Sequence, residues 1–122
     1  MKFRSWNENR NQFYYWQDGY YFKNKECTDD WNMISVWFNW QNAEQFTGLF
    51  DKNGIEIYEG DMLEWYDFYE EEYLYYVVVW DKEKAKFYLK STNKDFVEQD
   101  LSEMISDNAK VVINKLEIEE QE

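Results

Sequence analysis

Residues 13–22, FYYWQDGYYF, place two runs of aromatic side chains on either side of Asp18-Gly19. Asp-Gly between apolar runs is the strongest short signal for a two-residue hairpin turn, because both central positions then take positive φ. A chain built this way is directed toward antiparallel pairing of aromatic strands. Later segments agree, since aromatic and β-branched runs recur, broken by Asp, Asn and Gly, with no proline anywhere. MISVWF (33–38) reads as a strand with Ile34, Val36 and Phe38 on one face. IEIY (55–58) alternates, and a further strand starts at Met62. YLYYVVVW (73–80) is apolar on both faces, as expected of a central strand or one covered by a second subunit. In AKFYLK (85–90), Ala85, Phe87 and Leu89 alternate with Lys86, Tyr88 and Lys90, and Asp81 to Lys84 form the loop of a hairpin with the preceding strand. VVINKLEI (111–118) closes the series.

One helix is expected near 96–106. Val97, Leu101, Met104 and Ile105 fall on one helical stripe, with Asp95 as cap and Glu98 completing a capping box. At 122 residues, with no linker or repeat, the chain reads as one domain, 1–122. The fold class is mainly β: a small barrel or sandwich of antiparallel hairpins with that one short helix.

Three of the four glycines, Gly48, Gly54 and Gly60, lie in QFTGLFDKNGIEIYEGDMLEW (45–65). DKNG (51–54) has the chemistry of a turn, Asp51 bonding back to the backbone and Asn53-Gly54 tolerating positive φ. YEGD (58–61) is a second turn with Gly60 as its permissive position, and Gly48 fits a bulge or a close backbone approach. No Gly-x-Gly precedes a helix and no phosphate-loop lysine follows, so the glycines are joints and not a phosphate cradle.

The same stretch carries a resemblance. Thr47-Gly48-Leu49, Asp51-Lys52-Asn53-Gly54 and Glu56-Ile57-Tyr58-Glu59-Gly60-Asp61 closely resemble the signature of the YopX-like bacteriophage proteins. The opening MKFRSWNENRNQFYYW is similar to that family's Lys-Phe-Arg-x-Trp start, and VVVWDKEKAKFYL (77–89) is similar to its later hairpin. The resemblance implies a phage or prophage origin, a single-domain all-β fold and no known enzymatic activity. It also assigns Thr47, Gly48, Asp51, Asn53, Gly54, Tyr58, Gly60 and Asp61 to a structural turn motif. YDFYEEEY (66–73) departs from the family pattern in being unusually acidic and aromatic.

Catalytic footholds are few. The chain has no histidine, which removes the usual general base near neutral pH, and a single cysteine, Cys27, which cannot build a thiolate metal site or an internal disulfide. Asp29-Asp30, Glu59-x-Asp61 and Glu70-Glu71-Glu72 offer oxygens to a hard cation, but none has the spacing of a calcium loop. No catalytic residue, metal ligand or cofactor is therefore expected. With no signal peptide and no apolar run long enough for a membrane, a bacterial host's cytoplasm is the expected location.

Charge directs attention to partners. Twenty-six acidic residues against 13 basic give a net charge of −13, which opposes phosphate backbones and anionic membranes and favours a basic protein. The composition is also 22% aromatic, more than a core of this size comfortably hides. Both features converge in EWYDFYEEEY (64–73). Glu64, Trp65, Asp67, Tyr69, Glu70, Glu71 and Glu72 are the candidate partner-binding residues, since rings anchor interfaces and carboxylates meet Arg and Lys. The bland alternative is a solvated loop whose rings fold back on the core. At the level of function the leading expectation is a non-enzymatic phage protein that inhibits a host nucleic-acid-handling or defence factor, of anti-CRISPR or anti-restriction type, by imitating nucleic acid. The alternatives are a self-assembling β module and a single-strand nucleic-acid binder, the latter resting on Lys82, Lys84, Lys86, Lys90 and Lys94 around one hairpin.

Overall fold

The computed structural model describes residues 1–23, 31–92 and 98–114. The chain is mainly β, with antiparallel sheets, and divides into two compact units, Met1–Phe46 and Thr47–Glu122.

In the first unit, β1 (Lys2–Asn7), β2 (Gln12–Gln17) and β3 (Tyr20–Lys23) form a meander. Asp18 and Gly19 make the β2–β3 turn with φ of 51° and 93°, as the Asp-Gly pair requires, and Gln17 faces Tyr20 across it. β1, which the sequence reading did not assign, pairs with β2 from Lys2↔Gln17 to Asn7↔Gln12. On its other side it meets the start of β4 (Glu44–Phe50) at Phe3↔Gln45 and Arg4↔Glu44. Within the first unit the strand order is β3-β2-β1-β4; β5 (Glu56–Tyr58) neighbours β4 in the chain's pairing.

The segment expected as a strand at 33–38 is instead a helix, α1 (Trp31–Trp37). The amide of Phe38 donates to the Ile34 carbonyl at 2.9 Å, the i to i−4 bond of an α-helix. Ile34 and Phe38 satisfy both readings, being two strand steps or one helical turn apart. Val36 separates them: a strand would bury it beside them, yet it is 74% exposed. The helix packs on β3 and drives Ile34 and Phe38 against Tyr14, with Phe3, Trp16, Tyr21 and Trp37 around them. Burial against that aromatic sheet outweighs the weak helix preference of the β-branched residues.

A short 3-10 turn, Trp40–Asn42, follows, its N-cap Asn39 accepting from the Gln41 amide. Fully buried Ser5 pins it, accepting from the Asn39 amide at 2.9 Å and donating to Asn42 Oδ1 at 2.7 Å.

In the second unit, β6 (Asp61–Asp67), β7 (Glu72–Asp81), β8 (Lys86–Ser91), β9 (Glu98–Asp100) and β10 (Lys110–Asn114) form a sheet in the order β10-β6-β7-β8-β9. The doubly apolar run of 73–80 is thus its central strand. The core comprises Ile57, Leu63, Tyr76, Val78, Leu89 and Ala109, with Trp65, Leu74, Phe87, Leu101 and Val111 packed against it.

The expected helix is present in part and shifted. α2 spans Glu103–Asn108, whereas Glu98–Asp100 are strand, paired with β8 at Leu89↔Gln99. The edge of β8 offers backbone partners that the capping box at Asp95 and Glu98 does not outweigh; Asp95 and Val97 themselves lie outside the described residues. Residues 115–118 of the expected last strand also lie outside them. β10 itself slips register between Val111 and Asn114.

Candidate functional site

The glycine-rich segment is a framework for the second unit. Asp51 is 4% exposed, and its carboxylate is ringed by backbone amides. Oδ1 accepts from Asn53 at 2.8 Å and Ile55 at 2.9 Å, while Oδ2 accepts from Val111 of β10 at 2.9 Å. One buried carboxylate thereby closes its own turn and ties that turn to a strand sixty residues on. Asp61, 1% exposed, repeats the device by accepting from the Tyr58 amide at 2.8 Å. Thr47 Oγ1 donates to the Ile57 carbonyl at 2.7 Å and accepts from the Leu49 amide. Gly54 and Gly60 have φ of 80° and 90°, and Gly60 N–H donates to the Val78 carbonyl of the central strand. These side chains bond the unit's own backbone.

The acidic-aromatic segment is built differently. β6 and β7 pair to the very end, Tyr66↔Tyr73 and Asp67↔Glu72, so the segment is the tip of a hairpin and not a long loop. Asp67 Oδ1 accepts from the amides of Tyr69 at 2.9 Å and Glu70 at 3.3 Å, and Glu71 closes the turn at φ 53°. This fixes Phe68 and Tyr69 at the apex. They are 80% and 98% exposed, and Tyr73 beside them is 56% exposed. The rings do not fold back on the core; they support one another, Tyr66 meeting Phe68 edge-on at 4.9 Å and Tyr73 at 5.0 Å. Glu70, Glu71 and Glu72 are exposed around them.

The candidate residues therefore separate. Asp67, Tyr69, Glu70, Glu71 and Glu72 stand together at the tip. Trp65 is half-buried and packs on the core. Glu64 lies on the other face of β6, opposite Tyr75, and accepts from its hydroxyl at 3.1 Å. That bond, then partial desolvation and the neighbouring negative charge, raises the Tyr75 pKa above the ordinary phenol value. Phe68 was not singled out by the sequence, yet it belongs to the apex. The signal was available: an Asp that opens an Asx turn places the next two residues at the tip.

Two recesses flank the tip. One, of about 340 Å³, is bounded by Trp65, Asp67, Phe68, Tyr69, Leu74 and Tyr76. The other, of about 220 Å³, shares Trp65, Tyr66 and Phe68 with it and is also lined by Glu64, Tyr73, Lys52 and Asp107.

Lys86 is paired with Asp100 at 2.7 Å, which lowers the Asp100 pKa, and Asp81 bonds the amides of Glu83 and Lys84 to close the turn. Lys94 lies outside the described residues, as do Cys27, Asp29 and Asp30. Among the described residues no group of three His, Cys, Asp or Glu is placed to hold a metal ion, and no helix is long and apolar enough to cross a membrane.

Fold and site together define a mainly β protein with an internally tied turn motif and an exposed acidic-aromatic hairpin tip. The chain matches the family model of the YopX protein over residues 2–114, and it belongs to that family. No curated protein matches it.

Proposed function

We propose that this YopX-family chain works without catalysis, by binding a basic protein through the β6–β7 tip. The partner we favour is a nucleic-acid-handling or defence factor of a bacterial host whose groove ordinarily holds nucleic acid, with the chain acting as a phage-borne, cytoplasmic inhibitor. One observation carries the reading: Phe68, Tyr69 and Tyr73 stand 80%, 98% and 56% exposed in a turn rimmed by Asp67, Glu70, Glu71 and Glu72. Holding large rings in water forfeits the burial that stabilises them elsewhere, and rings with a charged rim have the make-up of an interface anchor. The net charge of −13 supports the choice of a basic partner and steers its approach.

The test is affinity capture from nuclease-treated host lysate at low and high salt, with mass spectrometry. We expect a basic nucleic-acid-processing protein held at low salt, released by salt and by added DNA, and lost with Phe68→Ala/Tyr69→Ala. Capture indifferent to salt and DNA sinks the mimicry. A second copy of the chain would cover the same rings, and light scattering that shows a concentration-independent monomer removes that alternative.

A further inference from the structure

We propose that the 340 Å³ recess beside the β6–β7 turn receives an arginine side chain of the partner, its guanidinium held between aromatic rings and carboxylates. The inference rests on reading the tip as a protein-binding surface, and it names the chemistry of the contact. Trp65, Tyr66, Leu74 and Tyr76 line the recess from the strands and Phe68 and Tyr69 from the turn, with Asp67 also in its lining. The space is thus mostly apolar, with the Asp67 carboxylate in its lining, and Glu70, Glu71 and Glu72 are exposed on the same hairpin tip. Among the described residues, no cationic side chain lines it.

A purely apolar occupant would bring these carboxylates against a dehydrated surface without compensation. A lysine ammonium matches the charge but keeps its hydration tightly and has no flat face. A guanidinium is planar and weakly hydrated, stacks on ring faces, and donates N–H bonds from its edge to carboxylates. Asp67 commits Oδ1 to the turn amides, and the second oxygen of a carboxylate can accept from a donor of this kind. The chain already uses the same pairing internally: the Arg4 guanidinium lies 4.4 Å from the Phe13 ring centre while its Nε meets Glu44 Oε1 at 3.1 Å. Arg10 stacks on Trp37 at 3.7 Å.

The experiment is a titration of the isotope-labelled full chain, followed by NMR at low salt. Its probes are N-acetyl-arginine amide, N-acetyl-lysine amide and the neutral isostere N-acetyl-citrulline amide. Arginine amide should shift the Phe68 and Tyr69 amides and the Trp65 indole, lysine amide should do so more weakly, and citrulline amide should leave them in place. Asp67→Asn keeps the Oδ1 acceptor of the turn, and Phe68→Ala keeps the backbone. Each should weaken arginine binding roughly tenfold, the scale of one lost cation–π or charged contact. Equal shifts with citrulline, no shift at the tip with arginine, or unchanged binding by Asp67→Asn would overturn the proposal. Its failure is separable from that of the broader reading. A chain that captures a salt-sensitive, DNA-competed partner yet ignores arginine amide keeps the basic partner and loses this contact. One that binds arginine amide at the tip and captures no basic protein does the reverse.

Discussion

Asp51 ties together backbone from distant parts of the second unit. Its carboxylate satisfies three backbone amides, two in its own turn and one on β10. Replacing it by alanine leaves all three amides without that acceptor, and we expect a loss of about 1–3 kcal/mol in a denaturant melt. Asp51→Asn is the sharper probe. It can keep the two turn bonds while setting an NH₂ against the Val111 amide, so the loss should be smaller and hydrogen-exchange protection should fall first in β10. Glu71 and Ala85 show the opposite case, since each holds a positive φ, 53° and 51°, that favours glycine. Ala85→Gly should therefore raise stability, by about 0.5–1 kcal/mol, an inversion of the usual penalty for glycine. No change in the midpoint would show that this backbone carries no strain. Tyr75 is predicted to titrate above the ordinary phenol value because its hydroxyl bonds Glu64. A raised folded-state pKa stabilises the fold below the unfolded value, and that stabilisation is lost as pH rises through the folded value. Ring-carbon NMR should show Glu64→Gln bringing the Tyr75 transition back toward normal, and an unchanged transition would assign the shift to burial alone.

Three of the hairpin connections share one construction. An Asx side chain at Asn7, Asp67 or Asp81 accepts amides two or three residues on, and a residue at positive φ, Asn11, Glu71 or Ala85, returns the chain to the next strand. The sequence made the Asp81 turn and the β7–β8 hairpin legible, and also the two-residue turn at Asp18-Gly19, because Asp and Gly act within a few bonds of their own backbone. It did not make α1 legible, because Ile34 and Phe38 fit both a strand and a helix and only packing against Tyr14 chose. The β6–β7 tip was recognised by composition, but not how its members divide between the strand, the core and the apex. Phe68→Ala/Tyr69→Ala should leave the melting midpoint within experimental scatter, since exposed rings contribute little to the folded state, while abolishing partner capture. A large fall in stability would mean that the rings serve the fold.

At the scale of the molecule, the charge of −13 sets the response to salt. Like charges repel across the compact state, so moderate salt should raise the melting temperature even as it weakens binding to a basic partner. Opposite salt trends for stability and capture are the expected signature. A melting temperature that falls with salt would point instead to ion pairs as net stabilisers. Sequence alone determined the β class, the hairpins with Asp-Gly or Asp-led turns and the family, since turn chemistry and apolar alternation are local properties of the chain. Only the tertiary structure decided that 33–38 is helix, that Glu98–Asp100 joins β8, and that Asp51 reaches β10. Each of those outcomes depends on a partner remote in sequence whose backbone or side chain has no local trace.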